Sequence, residues 1–356
     1  MPMAERSFVN DALSHWMKET GPESDVVLSS RVRIARNVRG IPFPLMAASE
    51  HSISVMEQLL GVAENGRLNG LGALEMIRLS ELSELEKQVL VEKHLISPSL
   101  ANESRNGAFI LTRNEDVSIM INEEDHLRIQ CLCPGFQIHQ AWEWASKIDD
   151  VFEEQVDYAF DEKYGYLTSC PTNVGTGIRA SVMMHLPALV LTGQINRILS
   201  AVQQVGLAVR GLYGEGSEAT GNLFQVSNQI TLGQSEQEII ENLHQVARQI
   251  IGHEKAARAK LLAESRPRIE DRVRRSYGIL SHAAIMDSKE SSQRLSDIRL
   301  GVHLGLLPDV KGETLNELLV STQPGFLQQK FGEALEPEQR DMTRAQLIRS
   351  RLASGT

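Results

Sequence analysis

Hydrophobic and polar positions alternate most regularly on either side of residues 122–126. Val117-Ser118-Ile119-Met120-Ile121 steps between apolar and small or polar residues, as a half-buried strand does. Leu127-Arg128-Ile129-Gln130-Cys131-Leu132 alternates again, with Arg128 and Gln130 on one face and Leu127, Ile129 and Cys131 on the other. Together they predict a hairpin whose turn holds three acids in a row, Glu123, Glu124 and Asp125, before an arginine that points off the sheet. Residues 26–34 predict another strand, with Ser29, Arg31 and Arg33 on one face. Phe109-Ile110-Leu111 predicts a third, and residues 206–213 with 223–230 a second hairpin. Tyr166-Leu167-Thr168-Ser169 reads as a strand entering a glycine-containing loop, followed by a helix starting near Ile178.

Helical spacing marks the rest. A short amphipathic helix over 8–18 is broken by Gly21-Pro22. Residues 49–96 read as helical material interrupted by Gly61, Gly66, Gly70 and Gly72. Residues 138–160 carry Ile138, Ala141, Trp142, Ala145, Ile148, Phe152 and Val156 on one helical face, a core stripe. From Ser235 a capping box with Glu238 opens a helix with the stripe Ile239, Leu243, Val246 and Ile250. Residues 255–275 then carry eight basic residues, and short helices follow. These features predict two domains, 1–255 and an all-helical 256–356, with the basic run a solvated helix face or a dimer surface.

Bulk properties narrow the function. A chain of 356 residues, 42% hydrophobic and 23% charged, is an ordinary globular composition with room for two domains. The net charge of −10 argues against nucleic acid as the main partner. Cys131, Cys133 and Cys170 show no paired spacing and no metal-ligand pattern, which suits a reducing compartment. No apolar run resembles a membrane span or signal peptide, so a cytoplasmic protein is expected.

Several residues suggest chemistry. Adjacent arginines on a strand face either defend an exposed edge or form a fork for polyphosphate, whose oxygens match guanidinium donors. His94, beside the stripe Leu82, Leu85, Val89 and Leu90, reads from its surroundings as structural. The loop 170–177 before an expected helix would offer N–H groups to an anion, with Arg179 adding charge. No Gly-x-x-x-x-Gly-Lys motif is present. Cys170 is either an inert apolar group or a thiol activated by those donors and by the Thr172 hydroxyl. Arg210 ends a strand before residues 214–221, whose three glycines suit a closing lid that Glu215 enters.

Four motifs stand in one order: Ser-Ser-Arg-Val-Arg at 29–33, Asn-Glu-Glu-Asp-His-Leu-Arg at 122–128, Cys-Pro-Thr-Asn-x-Gly-Thr at 170–176 and Arg-Gly-x-x-Gly-Glu at 210–215. Over residues 25–255 the chain resembles the phosphagen kinases. The resemblance implies an α+β fold, an antiparallel sheet flanked by helices, and the substrate ATP with Mg2+ held mainly by the nucleotide. It implies that Arg31, Arg33, Arg128, Arg179 and Arg210 hold the phosphates. Ser29, Ser30, Val32 and His94, with Ala180, Ser181, Val182 and Met183 and with Gly211, Leu212, Tyr213 and Gly214, would complete the ATP site. Glu124 and Glu215 would grip a guanidinium, supported by the Cys170 thiolate and Glu123, with Glu124 as base. Phosphoryl transfer needs positioning and cations, and a guanidinium with a pKa above about 12 needs a carboxylate to take its proton.

The chain departs from the metabolite-specific enzymes of that family. Only about 25 residues precede the Ser-Ser-Arg strand, where those enzymes carry a helical domain, and no extra basic residue stands near Tyr213. A more open acceptor site and a C-terminal helical domain resemble the family's bacterial protein arginine kinase subgroup. That implies protein substrates, among them a heat-shock repressor, together with a Clp ATPase/protease, a zinc-finger activator and a homodimer. Arg340-Asp341-x-x-Arg344-Ala345 lies on a predicted helix over 337–352. Asp341 either pairs with Arg344 or joins the arginines in an allosteric phosphoarginine receptor. A kinase of free guanidino compounds and a non-catalytic phosphoarginine-binding adaptor are the alternatives.

Overall fold

The computed structural model describes residues 7–18, 21–211, 220–332 and 335–354. Ten strands are present among them: β1 (Val27–Arg36), β2 (Leu74–Arg78), β3 (Ala108–Thr112), β4 (Val117–Ile121), β5 (Leu127–Pro134), β6 (Phe160–Asp161), β7 (Gly165–Tyr166), β8 (Ile178–His185), β9 (Leu207–Gly211) and β10 (Leu223–Asn228). Eight of them pair antiparallel in the order β2-β3-β4-β5-β1-β8-β10-β9, while β6 and β7 form a separate ribbon. The mixed fold with a flanked antiparallel sheet is the one the sequence implies.

The two faces of the sheet differ. Val32, Ile34, Ile129, Cys131, Ile178, Ala180 and Val182 are fully buried on one face. They pack against the helix Ile138–Glu153 and the first half of the long helix Glu236–His282. Each of the valine and isoleucine side chains contributes roughly 1.5–3 kcal/mol. On the other face Phe109, Leu111, Met120 and Leu132 pack against the N-terminal segment (Phe8, Trp16), the helix Glu84–Glu92 and Val320 and Phe326 from the C-terminal helices. The centre of that second face is polar.

Several expectations are corrected. Strand β4 is buried along its whole length rather than half-buried, because helical layers close both faces. The 8–18 helix is two short helices, Ser7–Asn10 and His15–Lys18. The chain bends between them to bring the carbonyls of Phe8 and Asp11 onto the buried Lys93 ammonium, 2.9 and 2.8 Å away. Within 49–96, residues Leu74–Arg78 form an edge strand paired with β3. The 138 helix ends at Glu153. Ile178–His185 is a strand, not a helix: Ile178, Ala180 and Val182 alternate with Arg179, Ser181 and Met183, and it pairs with β1 and β10.

The capping box of Ser235 and Glu238 is present, and the helix it opens runs past residue 256 to a break at Ser265, two residues before Pro267. Pro267 lacks an N–H and cannot continue the hydrogen-bond ladder. The helices Ser288–His303, Gly312–Ser321, Pro324–Phe331 and Pro337–Ser354 follow, three of them centred on Ile298, Leu318 and Ile348. They dock onto the sheet-bearing half through polar contacts as well: the Glu92 carboxylate accepts from the N–H groups of Gly325 and Phe326, 2.8 and 2.9 Å away. No described helix is long and apolar enough to cross a membrane.

Candidate active site

Strand register gathers the arginines. Strand β1 is interior, between β5 and β8, so the exposed-edge reading of its arginines fails. Arg33 lies opposite Gln130 on one side and Arg179 on the other; Arg31 lies opposite Leu132 and Ser181. Two positions along, Ser29 lies opposite Met183, which faces Gln225, which faces Arg210 on β9. With the period of two, Arg31, Arg33, Arg128, Arg179 and Arg210 share one face. Burial, then Arg128 and Arg179, bring the Arg31 pKa down to about 10. Arg33 is lowered further by burial, then by Arg31, Arg128 and Arg179, and its buried Nε has no hydrogen-bond partner among the described residues. Glu123 offsets part of this charge but is already bonded to Arg128 and Ser97. Crowded guanidinium groups that depress one another's pKa form a strong anion site.

His94 sits beside them in a left-handed conformation, its carbonyl accepting from Gln130 Nε2 at 2.8 Å. Burial, then Arg31 and Arg33, hold its pKa near 4, so the ring is neutral at pH 7. It lines a cavity with Trp16, Ser29, Arg31, Ser181 and Gln225.

The acidic turn is braced from three directions. Asn122 adopts φ 55°, which asparagine tolerates, and its Nδ2 donates to the carbonyls of Ser52 and Asn106. His126 accepts from the Val38 N–H at Nδ1 and meets the Pro42 carbonyl at Nε2, both at 3.1 Å. Asp125 accepts from Asn37 Nδ2 at 2.6 Å and from the Ser169 N–H at 2.7 Å. The Ser169 hydroxyl donates to the Glu124 carbonyl at 2.6 Å. These last bonds tie the turn to the residue directly before Cys170. The sequence pattern does not single out Asn37 or Ser169 and marks Asp125 only as one of three acids in the turn; the structure makes the three a brace.

The two glutamates of the turn differ in environment. Burial would raise Glu123, but Arg128, Ser97 and a backbone N–H overcome it and hold it below the usual carboxylate range. Glu124 is half-buried and raised, first by burial and then by the Glu123 charge. A raised, partly accessible carboxylate suits proton acceptance, whereas Glu123 is committed to orienting Arg128.

The loop carrying Cys170 lacks the expected helix N-terminus. One 3-10 turn, Pro171–Asn173, replaces it, and Arg179 stands on β8. Anion attraction here comes from side-chain cations. Cys170 is half-buried with Sγ 3.0 Å from Thr172 Oγ1, itself 3.5 Å from an Arg179 nitrogen. The loop is seated by Arg36, which donates to Asp149 at 2.6 Å and the Thr176 carbonyl at 2.8 Å and lies 3.5 Å over the Tyr166 ring. At Gly175 (φ 115°) an added Cβ would lie 2.5 Å from the Thr231 carbonyl oxygen.

Other residues assigned from sequence stand elsewhere. Ser30, Val32, Ala180 and Val182 are buried and point to the opposite face, and the Ser30 hydroxyl donates to the Gly135 carbonyl. Their side chains cannot touch a ligand over the arginines. Ser29 and Ser181 are on the arginine face with Met183, and Gly211 ends β9. Leu212, Tyr213, Gly214 and Glu215 lie outside the described residues. In the last helix Arg344 is 1% exposed, pairs with Asp341 and donates to the carbonyls of Thr322 and Met286 at 2.9 and 2.8 Å. Ala345 is buried, and Arg340 donates to the Leu335 carbonyl at 3.1 Å. Asp341 therefore pairs within the helix, and neither Arg344 nor Ala345 is open to a phosphate.

A sheet face of arginines beside a braced glutamate and a thiol defines a phosphotransferase acting on guanidino groups. Residues 55–257 match the ATP:guanido phosphotransferase C-terminal catalytic domain, and residues 266–356 match the protein-arginine kinase McsB C-terminal domain. The chain is 59% identical to a protein-arginine kinase of Brevibacillus brevis, covering 98% of both chains. It is 57% identical to that of Bacillus subtilis, over 98% of this chain and 96% of the relative. The duplicated taurocyamine kinase of Schistosoma mansoni with bound transition state analog components superposes with a TM-score of 0.60 at 25% identity, covering 66% of this chain and 34% of that longer chain. The chain belongs to the protein-arginine kinase family of ATP:guanido phosphotransferases.

Proposed function

We propose that this protein transfers the γ-phosphoryl group of Mg-ATP to arginine side chains of proteins. The observation that carries the reading is the cluster of Arg31, Arg33, Arg128 and Arg179 next to a glutamate turn tied by Ser169 to the Cys170 loop. In this reading the arginines, Arg210 included, align the triphosphate and stabilise charge on the transferred group. Glu124 aligns the substrate guanidinium and takes one N–H proton as that nitrogen attacks phosphorus. The bond to the β-phosphate oxygen breaks with its electron pair leaving on ADP, and phosphoarginine forms. Glu215 is the second aligning carboxylate and Cys170, as thiolate, supports the cation. His94, Ser29, Ser181 and Met183 border the nucleotide, and Mg2+ enters on ATP.

The division into a catalytic 1–255 and a helical 256–356 belongs to the same reading, supported by the two family matches. The family resemblance extends it further. Phosphorylation in the cytoplasm would mark proteins for a Clp protease and inactivate a heat-shock repressor, with a zinc-finger protein as activator, a homodimer as working unit and product as allosteric effector.

The deciding experiment incubates the full chain with Mg-ATP and either free arginine or an unfolded protein, then measures acid-labile phosphate. Label on protein arginine is expected; label confined to free arginine overturns the reading.

A further inference from the structure

Away from the arginine face, three side chains converge on the outer surface of the helices that support the sheet. His139 is the second residue of the helix Ile138–Glu153; Glu241 and His244 stand three apart near the start of the helix Glu236–His282. Residues three apart lie on one helix face. The ligating atoms of all three lie within 4.8 Å of one another, and His139 Nε2 is 3.3 Å from Glu241 Oε2.

The surroundings hold these groups in place. Gln245 Nε2 donates to Glu241 Oε1 at 2.8 Å, leaving Oε2 toward the histidines. Phe136 stacks on His244 with ring centroids 4.8 Å apart and planes 4° apart, and the two imidazoles lie 4.6 Å apart. Fixed orientation of a ligand by an outer partner is what a metal site requires. His139 and Glu241 are exposed, so an ion has a path in.

We propose that His139, Glu241 and His244 form a binding site for a divalent transition-metal ion of the zinc type, with water completing the coordination. Two imidazoles and one carboxylate match a borderline ion and not Mg2+, which takes oxygen ligands at rigid octahedral geometry. The ion draws together donors now held by one long hydrogen bond. It staples the long helix, which leads into the C-terminal helices, to the helix under β5 and β1. The site lies close to the sheet: the Gln137 N–H, two residues before His139, donates to Ser30 on β1 at 2.9 Å. The inference is independent of the kinase reading.

The test uses the full chain, stripped with chelator and dialysed against Zn2+ alone without nucleotide, with metal content and melting temperature measured. Wild type takes up one ion per chain and melts higher with it. His139→Ala and His244→Ala lower the affinity at least about tenfold, in line with loss of a ligand, and remove the melting shift; Glu241→Gln lowers it less. Cys170→Ser binds as wild type does. A Cu2+ electron paramagnetic resonance spectrum shows two coupled nitrogens, and one fewer in each histidine variant. No ion on wild type at about 100 µM Zn2+, far above the dissociation constants of built zinc sites, overturns the proposal. So does undiminished binding in both histidine variants, which assigns the ion to Cys170 or another group.

Discussion

Two arginine pairs stand out in this sequence, and the structure treats them oppositely. Arg31 and Arg33 lie on an interior strand among further arginines, depressed in pKa by burial and by neighbouring guanidinium charge, with Glu123 already engaged. Arg340 and Arg344 lie one turn apart on a helix, each donating to backbone carbonyls, with Asp341 paired to Arg344. Among the described residues the first arrangement leaves the buried Arg33 Nε without a hydrogen-bond partner. In the second, Arg344 is already engaged by Asp341 and two carbonyls. Arginine spacing alone does not mark a phosphate site; the state of the remaining donors does.

Replacing Arg33 should give the largest effect. Arg33→Met removes a cation that the proposed function assigns to the triphosphate, and phosphoryl transfer should fall by about 10³-fold or more, the scale of a transition-state arginine. The melting temperature should hold or rise, because the change relieves like-charge crowding. Wild-type turnover in this variant would erase the contrast.

Glu124→Gln comes next. The amide keeps the shape but cannot take a proton, so turnover should drop by about 10²–10⁴-fold with stability preserved. The pH dependence sharpens the assignment. Because Glu124 is raised, kcat/KM should fall on acidification through a pKa above the ordinary carboxylate value of about 4.3. Stability linkage runs the other way. A raised carboxylate favours the folded state fully below its unfolded pKa and loses that contribution as pH rises through the folded one. Glu123 is lowered, so its contribution is present above the unfolded pKa and fades as pH falls through the folded value. A rate profile flat through the acid range removes Glu124 as base.

How much of this was legible in the sequence depends on the range of the interaction. The β1 arginines and the acidic hairpin could be read because a two-residue period is local. Strand β8 was misread because the glycine loop before it suggested a helix start, although its own alternation from Ile178 to Met183 was in view. Strand β2 was hidden by helical segments on both sides and shows only Ile77 buried. The brace of Asn37, Asp125 and Ser169 left no local trace: Asn37 and Asp125 are 88 positions apart, and Ser169 is 44 from Asp125. Sequence supplied both readings of Arg344; the structure buries its guanidinium against Asp341 and two carbonyls, while Arg340 and Asp341 stay partly exposed.

Arg344→Met probes the other side of the contrast. It keeps the buried stem but strands Asp341 and two carbonyls, so unfolding free energy should fall by about 2–4 kcal/mol, the range for breaking a buried charged hydrogen-bond set. Basal phosphoryl transfer should persist at permissive temperature. Chemical denaturation of the full chain measures the first effect. Unchanged stability together with lost response to phosphoarginine would restore the receptor reading of this helix.

The smallest effect belongs to the brace between the turn and the thiol loop. Ser169→Ala removes the hydroxyl bond to the Glu124 carbonyl but keeps the backbone N–H bond to Asp125. Losing one of two ties costs about 0.5–1.5 kcal/mol, so kcat should decline by only about 3–10-fold. Asp125→Asn weakens the second tie, a charge-assisted one, and should cost more. The double variant tests whether the ties act together. If they hold one geometry, its loss exceeds the sum of the two, because either bond alone still keeps Glu124 aimed. Simple additivity, with the pH profile of Glu124 unmoved, would mean that these bonds stabilise the loop without positioning the base.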